Sequence, residues 1–141
     1  MFTILDSIDL VIHEAGHPIF SIFGEFIGIL GGSFFQVLVP CVFASYFFFW
    51  RKELISGSVM LLWVGYNIMN VAIYMGDAIK QELPLLGGDG VIHDWNYLLS
   101  NTGLLIYTDI LSKITYDLGV LIIIGSFVSS FYLIWLKIYS K

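Results

Sequence analysis

The sequence predicts an all-α fold: a polytopic membrane helix bundle of three to four transmembrane helices, with a re-entrant or interfacial loop-helix region. Hydrophobic residues make up 58% of the 141 residues and charged residues only 12%, whereas soluble domains average about 45–50% and about 25%. The mean hydropathy is +0.89. Six basic residues stand against eleven acidic ones, and this balance argues against a nucleic-acid partner, because such binding needs a basic surface.

Four apolar segments, at residues 2–30, 33–50, 54–76 and 117–136, indicate a single integral membrane domain over residues 1–141. A spanning helix needs about 20 mostly apolar residues, and the last three segments are predicted to span. The first segment carries six ionisable side chains, which leaves open whether it spans or is re-entrant.

Local signals refine these boundaries. Gly31-Gly32 predicts a helix break after the first segment, with Ser33 as the N-cap of the next. Pro40 is expected to kink the second segment. The polar stretch 77–116 contains irregular backbone and short helices, one of which is predicted to begin at an Asp94 N-cap.

The residues His13-Glu14-Ala15-Gly16-His17 form an H-E-x-x-H motif. On a helix, positions i and i+4 share one face, so the two imidazoles can bind one zinc ion while the glutamate acts as a general base toward an activated water molecule. With three histidines and four glutamates in the chain, the chance expectation of the motif is about 0.002. Glu14 is therefore the predicted catalytic residue.

A catalytic zinc site needs a third protein ligand. His93 is the remaining histidine and is the favoured ligand, with Asp94 as a further ligand or as its hydrogen-bonding partner. Asp89, in a glycine-rich turn, is an alternative third ligand, and Asp77 and Glu25 are weaker ones.

Helical spacing places Asp6, Asp9, His13 and His17 on one stripe. Asp9, one turn before His13, can accept the second N–H of that imidazole and fix its tautomer; alternatively, Asp6 and Asp9 lie in headgroup water. Pro18 either kinks the helix just after the motif or ends it there.

On these residues the chain resembles intramembrane zinc metalloproteases of the site-2 protease type. The resemblance is carried by residues 13–17 in an apolar first segment, by the glycine-rich region after it, and by a later Asp89-Gly90 or His93-Asp94 pair. It implies a helical membrane domain that cuts peptide bonds within or beside the bilayer, with two histidines and one acidic residue as zinc ligands. The chain also resembles small uncharacterised bacterial membrane proteins that carry a HEAGH segment and a later His-Asp-Trp.

Three functions are compatible with these patterns. The favoured one is a zinc-dependent intramembrane or membrane-associated endopeptidase with one zinc ion, acting on a membrane-associated peptide or protein in a prokaryotic plasma membrane, with membrane lipids around it. The second is a non-catalytic metal-binding membrane protein, such as a sensor or a transport-associated subunit. The third is a structural protein whose polar stripe only joins helices.

Overall fold

The computed structural model describes residues 4–83 and 92–139, and within these ranges the chain is helical without a strand. The five α-helices are α1 (Ile4–Phe20), α2 (Glu25–Ser45), α3 (Leu54–Gly76), α4 (Asp94–Asn101) and α5 (Thr108–Tyr139). Short 3-10 turns precede α2 and α5, and a π-helical turn at Tyr46–Arg51 extends α2. The predicted all-α class is confirmed over the described residues.

The first apolar segment, 2–30, contains α1 and the start of α2, so of the two alternatives at Pro18, a kink or a stop, the structure shows a stop close to this residue. Helix α1 continues for two residues beyond Pro18 and ends at Phe20. The chain then reverses at Gly24, whose φ of 104° is a conformation that favours glycine because it has no Cβ. Because α2 packs back against α1, the motif on α1 faces a neighbouring helix.

Helix α2 runs uninterrupted through Gly31-Gly32, so the predicted break and the predicted Ser33 N-cap are also wrong. These glycines face α1 across a close contact. A Cβ on Gly31 would lie 2.7 Å from the carbonyl oxygen of Gly16, which shows that the two backbones approach too closely for any side chain there. Glycine at this position therefore serves helix packing, as it does in membrane bundles.

Helices α3 and α5 form an antiparallel pair. The bounds of α3 match the predicted segment 54–76, whereas α5 begins nine residues before the predicted residue 117. Gly65 and Gly119 lie at the contact, where a Cβ on either would come within 2.8 Å of the other's carbonyl oxygen. Hydroxyl groups add hydrogen bonds along the pair, such as Ser112 Oγ to the carbonyl oxygen of Ala72 at 2.8 Å.

Three helical stretches in the described part of the chain are long and apolar enough to cross a membrane: Glu25–Arg51, Leu54–Gly76 and Leu105–Tyr139. Large apolar side chains on them point outward, including Trp50 at 82% exposure and Phe131 at 71%. Such a surface fits a lipid environment. Helix α1, at 17 residues, is about 26 Å long and is not one of the three.

The short helix α4 lies against the ends of α2 and α3. Its N-cap is His93 and not the predicted Asp94, because His93 Nδ1 accepts the backbone N–H of Asn96 at 3.3 Å. The Asn96 side chain donates to the carbonyl oxygen of Ala78 at 2.8 Å, and Trp95 Nε1 donates to Ser33 Oγ at 3.1 Å. These contacts fix the first turn of α4, and with it Asp94, beside α1 and α2.

Candidate metal site

The two histidines of the motif project from α1 toward α2. Their ring centroids are 5.0 Å apart and the ring planes are nearly perpendicular, at 75°. His13 is buried and His17 is partly buried. The one-turn spacing predicted from the sequence therefore gives two neighbouring imidazoles on the inner face of the hairpin.

Asp94 completes the group from a distant part of the chain. Its Oδ2 atom lies 3.0 Å from Nε2 of His13 and 3.4 Å from Nε2 of His17. The backbone N–H of Asp94 donates to the Tyr74 hydroxyl at 3.2 Å, which anchors the start of α4 on α3. His13, His17 and Asp94 thus form a group that can hold a metal ion.

The opposite ring nitrogens are both held by oxygen atoms. His13 Nδ1 lies 3.1 Å from Oε1 of Gln36, and His17 Nδ1 lies 3.0 Å from the carbonyl oxygen of Gly28. A carbonyl oxygen only accepts hydrogen bonds, so each Nδ1 donates its proton to the oxygen atom behind it. Each Nε2 atom then faces Asp94, and in the neutral ring this nitrogen is the atom that binds a metal ion.

The donor set fits a divalent metal ion. The three ligand atoms all lie within 4.8 Å of one another. Bonds of 2.0–2.2 Å at a tetrahedral angle separate two ligand atoms by about 3.3 Å, close to the observed 3.0 and 3.4 Å. Imidazole and carboxylate together suit zinc, and oxygen acceptors behind the imidazoles are the usual outer partners of such ligands.

Gly32 provides the space that the two rings occupy. A Cβ built on this residue would lie 2.6 Å from Nε2 of His17 and 2.7 Å from Nε2 of His13. A side chain on residue 32 would therefore collide with the metal-facing atoms themselves. The glycine that the sequence suggested as a helix break is in fact part of the wall of the site.

A cavity of about 480 Å³ opens from this group. Glu14 lies on its wall beside His13 and His17, and its side chain is exposed. Because Pro18 has no N–H, the carbonyl oxygen of Glu14 lacks its usual helical donor. The remaining lining residues include Ser21, Glu25, Ile29, Tyr74 and Ile92.

His93 does not join the metal group, contrary to the expectation that it is the third ligand. Its side chain is fully buried, with Nδ1 used as the α4 cap and Nε2 at 3.4 Å from Oδ2 of Asp77. Burial lowers the pKa of His93, while the nearby Asp77 and Asp94 carboxylates act in the opposite direction. The capping bond to Asn96 and the contact with the Tyr74 ring, whose centroid lies 4.4 Å away, hold the His93 ring against α3.

The other acidic candidates have different positions. The two carboxylate oxygens of Asp77 accept the backbone N–H groups of Glu82 and Leu83 at 3.0 Å each, so this side chain closes the turn after α3. Asp89 lies outside the described residues. Glu25 is exposed on the wall of the cavity.

Asp9 neither orients His13 nor lies in headgroup water. It is 1% exposed and accepts hydrogen bonds from Nε1 of Trp63 at 2.8 Å and from Nδ2 of Asn67 at 3.3 Å. Asp6 accepts a hydrogen bond from the Tyr66 hydroxyl. The acidic half of the stripe therefore joins α1 to α3, and Gln36 takes the position behind His13.

Three residues of the site were missed in the sequence: Gln36, Gly32 and Tyr74. Gln36 left a usable signal, because an amide in an apolar segment is costly unless it has a partner. Gly32 and Tyr74 left none, since their roles depend on which helices meet.

Taken together, residues 4–83 and 92–139 form a helical fold with three helices apolar enough to cross a membrane and a group of side chains that can hold a metal ion. The chain matches no protein-family model, no curated protein and no solved structure. The likeness to site-2 proteases rests on the sequence motif alone.

Proposed function

We propose that this protein is a zinc-dependent endopeptidase that acts within or beside a membrane. The observation that carries the proposal is the pair of inward-facing Nε2 atoms opposite Asp94, with each Nδ1 held by an oxygen atom. Two imidazoles and one carboxylate, each able to offer one ligand atom to the same ion, match the three protein ligands of catalytic zinc sites that keep a fourth position open.

Each group has a distinct task in this proposal. His13, His17 and Asp94 would hold the zinc ion, which when bound would supply Lewis-acid chemistry toward a peptide carbonyl group and a water molecule. Glu14 accepts a proton from the attacking water molecule and delivers it to the leaving amine. Tyr74 accepts a hydrogen bond from the Asp94 backbone, so its own O–H remains able to donate to the carbonyl oxygen of the substrate.

The depth of the site supports a membrane-associated substrate. The two imidazoles contact α2 at Gly32 and Gln36, which lie about 10 and 16 Å along the helix from Glu25. That region belongs to an apolar stretch able to cross a membrane. A peptide that binds there replaces contacts with water by contacts with protein. The carbonyl oxygen of Glu14, which has no helical donor because Pro18 lacks an N–H, can accept a hydrogen bond from the peptide backbone.

The test combines metal analysis with turnover. Purified protein in detergent micelles is expected to contain about one zinc ion per chain and to cut an unstructured apolar peptide. Asp94→Ala is expected to lose both properties, whereas Glu14→Gln is expected to keep the zinc and lose cleavage. Glu53→Gln serves as the matched control, because it removes the same negative charge at a remote position. Glu53 pairs with Arg51 beyond the C-terminal end of α2, whereas the metal group lies near the N-terminal half of that helix.

Two results would overturn the proposal. One is protein that contains no zinc after gentle extraction and after reconstitution with zinc. In that case His13, His17 and Asp94 would only form a polar network that joins helices. The other is zinc-loaded wild type that cuts no peptide, which would favour a non-catalytic metal protein, the sensor or transport-associated alternative. Unchanged cleavage in Glu14→Gln would contradict the role of Glu14 as the base.

A further inference from the structure

The charge of the cavity is unbalanced. Among the described residues that line it, three are acidic, Glu14, Glu25 and Asp94, and none is Lys or Arg. Arg51 and Lys52 follow the C-terminal end of α2, whereas the cavity opens near its N-terminal end. Nothing cationic in the lining therefore offsets the three carboxylates.

A metal ion neutralises only part of this charge. With both histidines neutral, the two positive charges of a divalent ion balance the negative charges of Asp94 and Glu14. The negative charge of Glu25 then remains. A carboxylate next to apolar surroundings is stabilised by a cation at hydrogen-bonding distance, and charged hydrogen bonds of this kind are stronger than neutral ones. The remaining negative charge is thus available to a ligand in the cavity.

Glu25 is well placed to contact such a ligand. It begins α2 one turn before Gly28, whose carbonyl oxygen holds His17, and residues three or four apart lie on the same helix face. It lines the cavity together with His17 and Asp94. Partial desolvation raises the pKa of the Tyr97 hydroxyl on α4, and the charge and hydrogen bonding of Glu25 raise it further. Glu25 therefore belongs to the same cavity wall as the proposed zinc ligands.

We propose that Glu25 gives the site a preference for substrates that carry a cationic group, an ammonium or guanidinium, close to the bond that is cut. This inference rests on the proposed function, because it names the substrate class of the same cavity. The cation belongs either to a Lys or Arg side chain or to a free α-amino group, since the two present the same chemistry to a carboxylate.

Hydroxamates test the preference without requiring turnover, because they chelate zinc directly. Binding of N-acetyl-lysine hydroxamate, N-acetyl-norleucine hydroxamate and norleucine hydroxamate with a free amine is measured on the zinc-loaded full chain by calorimetry. A cationic probe is expected to bind about fivefold more tightly than the neutral one, the upper range for a solvent-accessible ion pair. If the lysine probe binds more tightly, the preferred cation is a side-chain group; if the free-amine probe does, it is an α-amino group.

Variants assign the preference to Glu25. Glu25→Gln is expected to remove it and Glu25→Lys to reverse it, so that N-acetyl-glutamate hydroxamate binds best. Glu53→Gln, the matched loss of a remote exposed carboxylate, is expected to keep it. Zinc content is measured for each variant.

The outcomes separate the two proposals. Equal binding of charged and neutral probes to zinc-loaded wild type overturns the role of Glu25, even if Glu14-dependent cleavage is observed. A preference that survives in Glu25→Gln, or a loss of zinc in that variant, also overturns it. A Glu25-dependent preference without any peptide cleavage supports this inference and contradicts the endopeptidase.

Discussion

Replacing Gly32 with Ala is expected to remove zinc binding while leaving the bundle folded. The new Cβ would lie 2.6 Å from Nε2 of His17 and 2.7 Å from Nε2 of His13, where ordinary contacts are 3.4 Å or more. The rings must therefore move by 3.4 − 2.6, or about 0.8 Å. Zinc–ligand distances tolerate only about 0.2 Å, so the displaced rings cannot both remain ligands.

The substitution has two effects, one on metal affinity and one on the stability of the helix. Disturbing the groups that orient zinc ligands lowers metal affinity by about 10- to 100-fold, and displacing the ligands themselves is expected to reach at least the upper value. An alanine within a helix is more favourable than glycine by about 0.5–1 kcal/mol. That gain offsets part of the strain, so the thermal unfolding temperature of Gly32→Ala is expected to stay close to that of wild type without metal.

The assay is competition for zinc with a chromophoric chelator, alongside thermal unfolding in detergent. Gly125→Ala is the matched control, because a Cβ on this helical glycine meets no atom within 4 Å; its zinc affinity is expected to equal that of wild type. Gly16→Ala would instead press on the carbonyl oxygen of Gly31 and is expected to lower stability and zinc binding together. Wild-type zinc affinity in Gly32→Ala would refute the placement of the rings against residue 32.

Four further results are expected. Gln36→Leu removes the acceptor behind His13 and should lower zinc affinity about tenfold without abolishing binding; an unchanged affinity would contradict its orienting role. His93→Asn keeps an N-cap side chain and should bind zinc like wild type, whereas a loss of zinc would return His93 to the ligand set. Because burial lowers the pKa of His93 below 6.5, the unfolded chain takes up the proton first, so wild type should lose stability as pH falls below about 6.5. In the same denaturation series, the stability of His93→Asn should fall less steeply with decreasing pH. Equal slopes for the two proteins would contradict the assignment of this pH dependence to His93. Finally, a chelator should lower the unfolding temperature of wild type, because it removes about 2.7 kcal/mol of stabilisation if free zinc was 100 times its Kd, but it should not affect Asp94→Ala.

Much of the fold could be predicted from composition and run length. The α3 segment was predicted to the residue, because an uninterrupted apolar run has few alternatives in a membrane. The reversal after α1 was not predicted. Pro18 was compatible with either a kink or the end of the helix. Gly24, the residue at which the chain reverses, could not be distinguished in the sequence from the glycines that pack within α2.

The candidate site divides in the same way. His13 and His17 could be found because helical spacing alone brings them to one face, and Glu14 could be found because it belongs to the same H-E-x-x-H motif. The sequence favoured His93 as the third ligand, whereas the structure brings Asp94 to the motif. Adjacent residues at the start of a helix point in different directions, and the capping bond of His93 is a tertiary detail that the sequence does not show.

By itself, the sequence determined that the chain is helical and apolar and that two imidazoles share one face, because these properties depend on residue type and short-range periodicity. Only the tertiary structure decided which carboxylate, which amide and which glycine surround those imidazoles. These partners come from helices distant in sequence, and their arrangement depends on how closely the helix backbones approach one another.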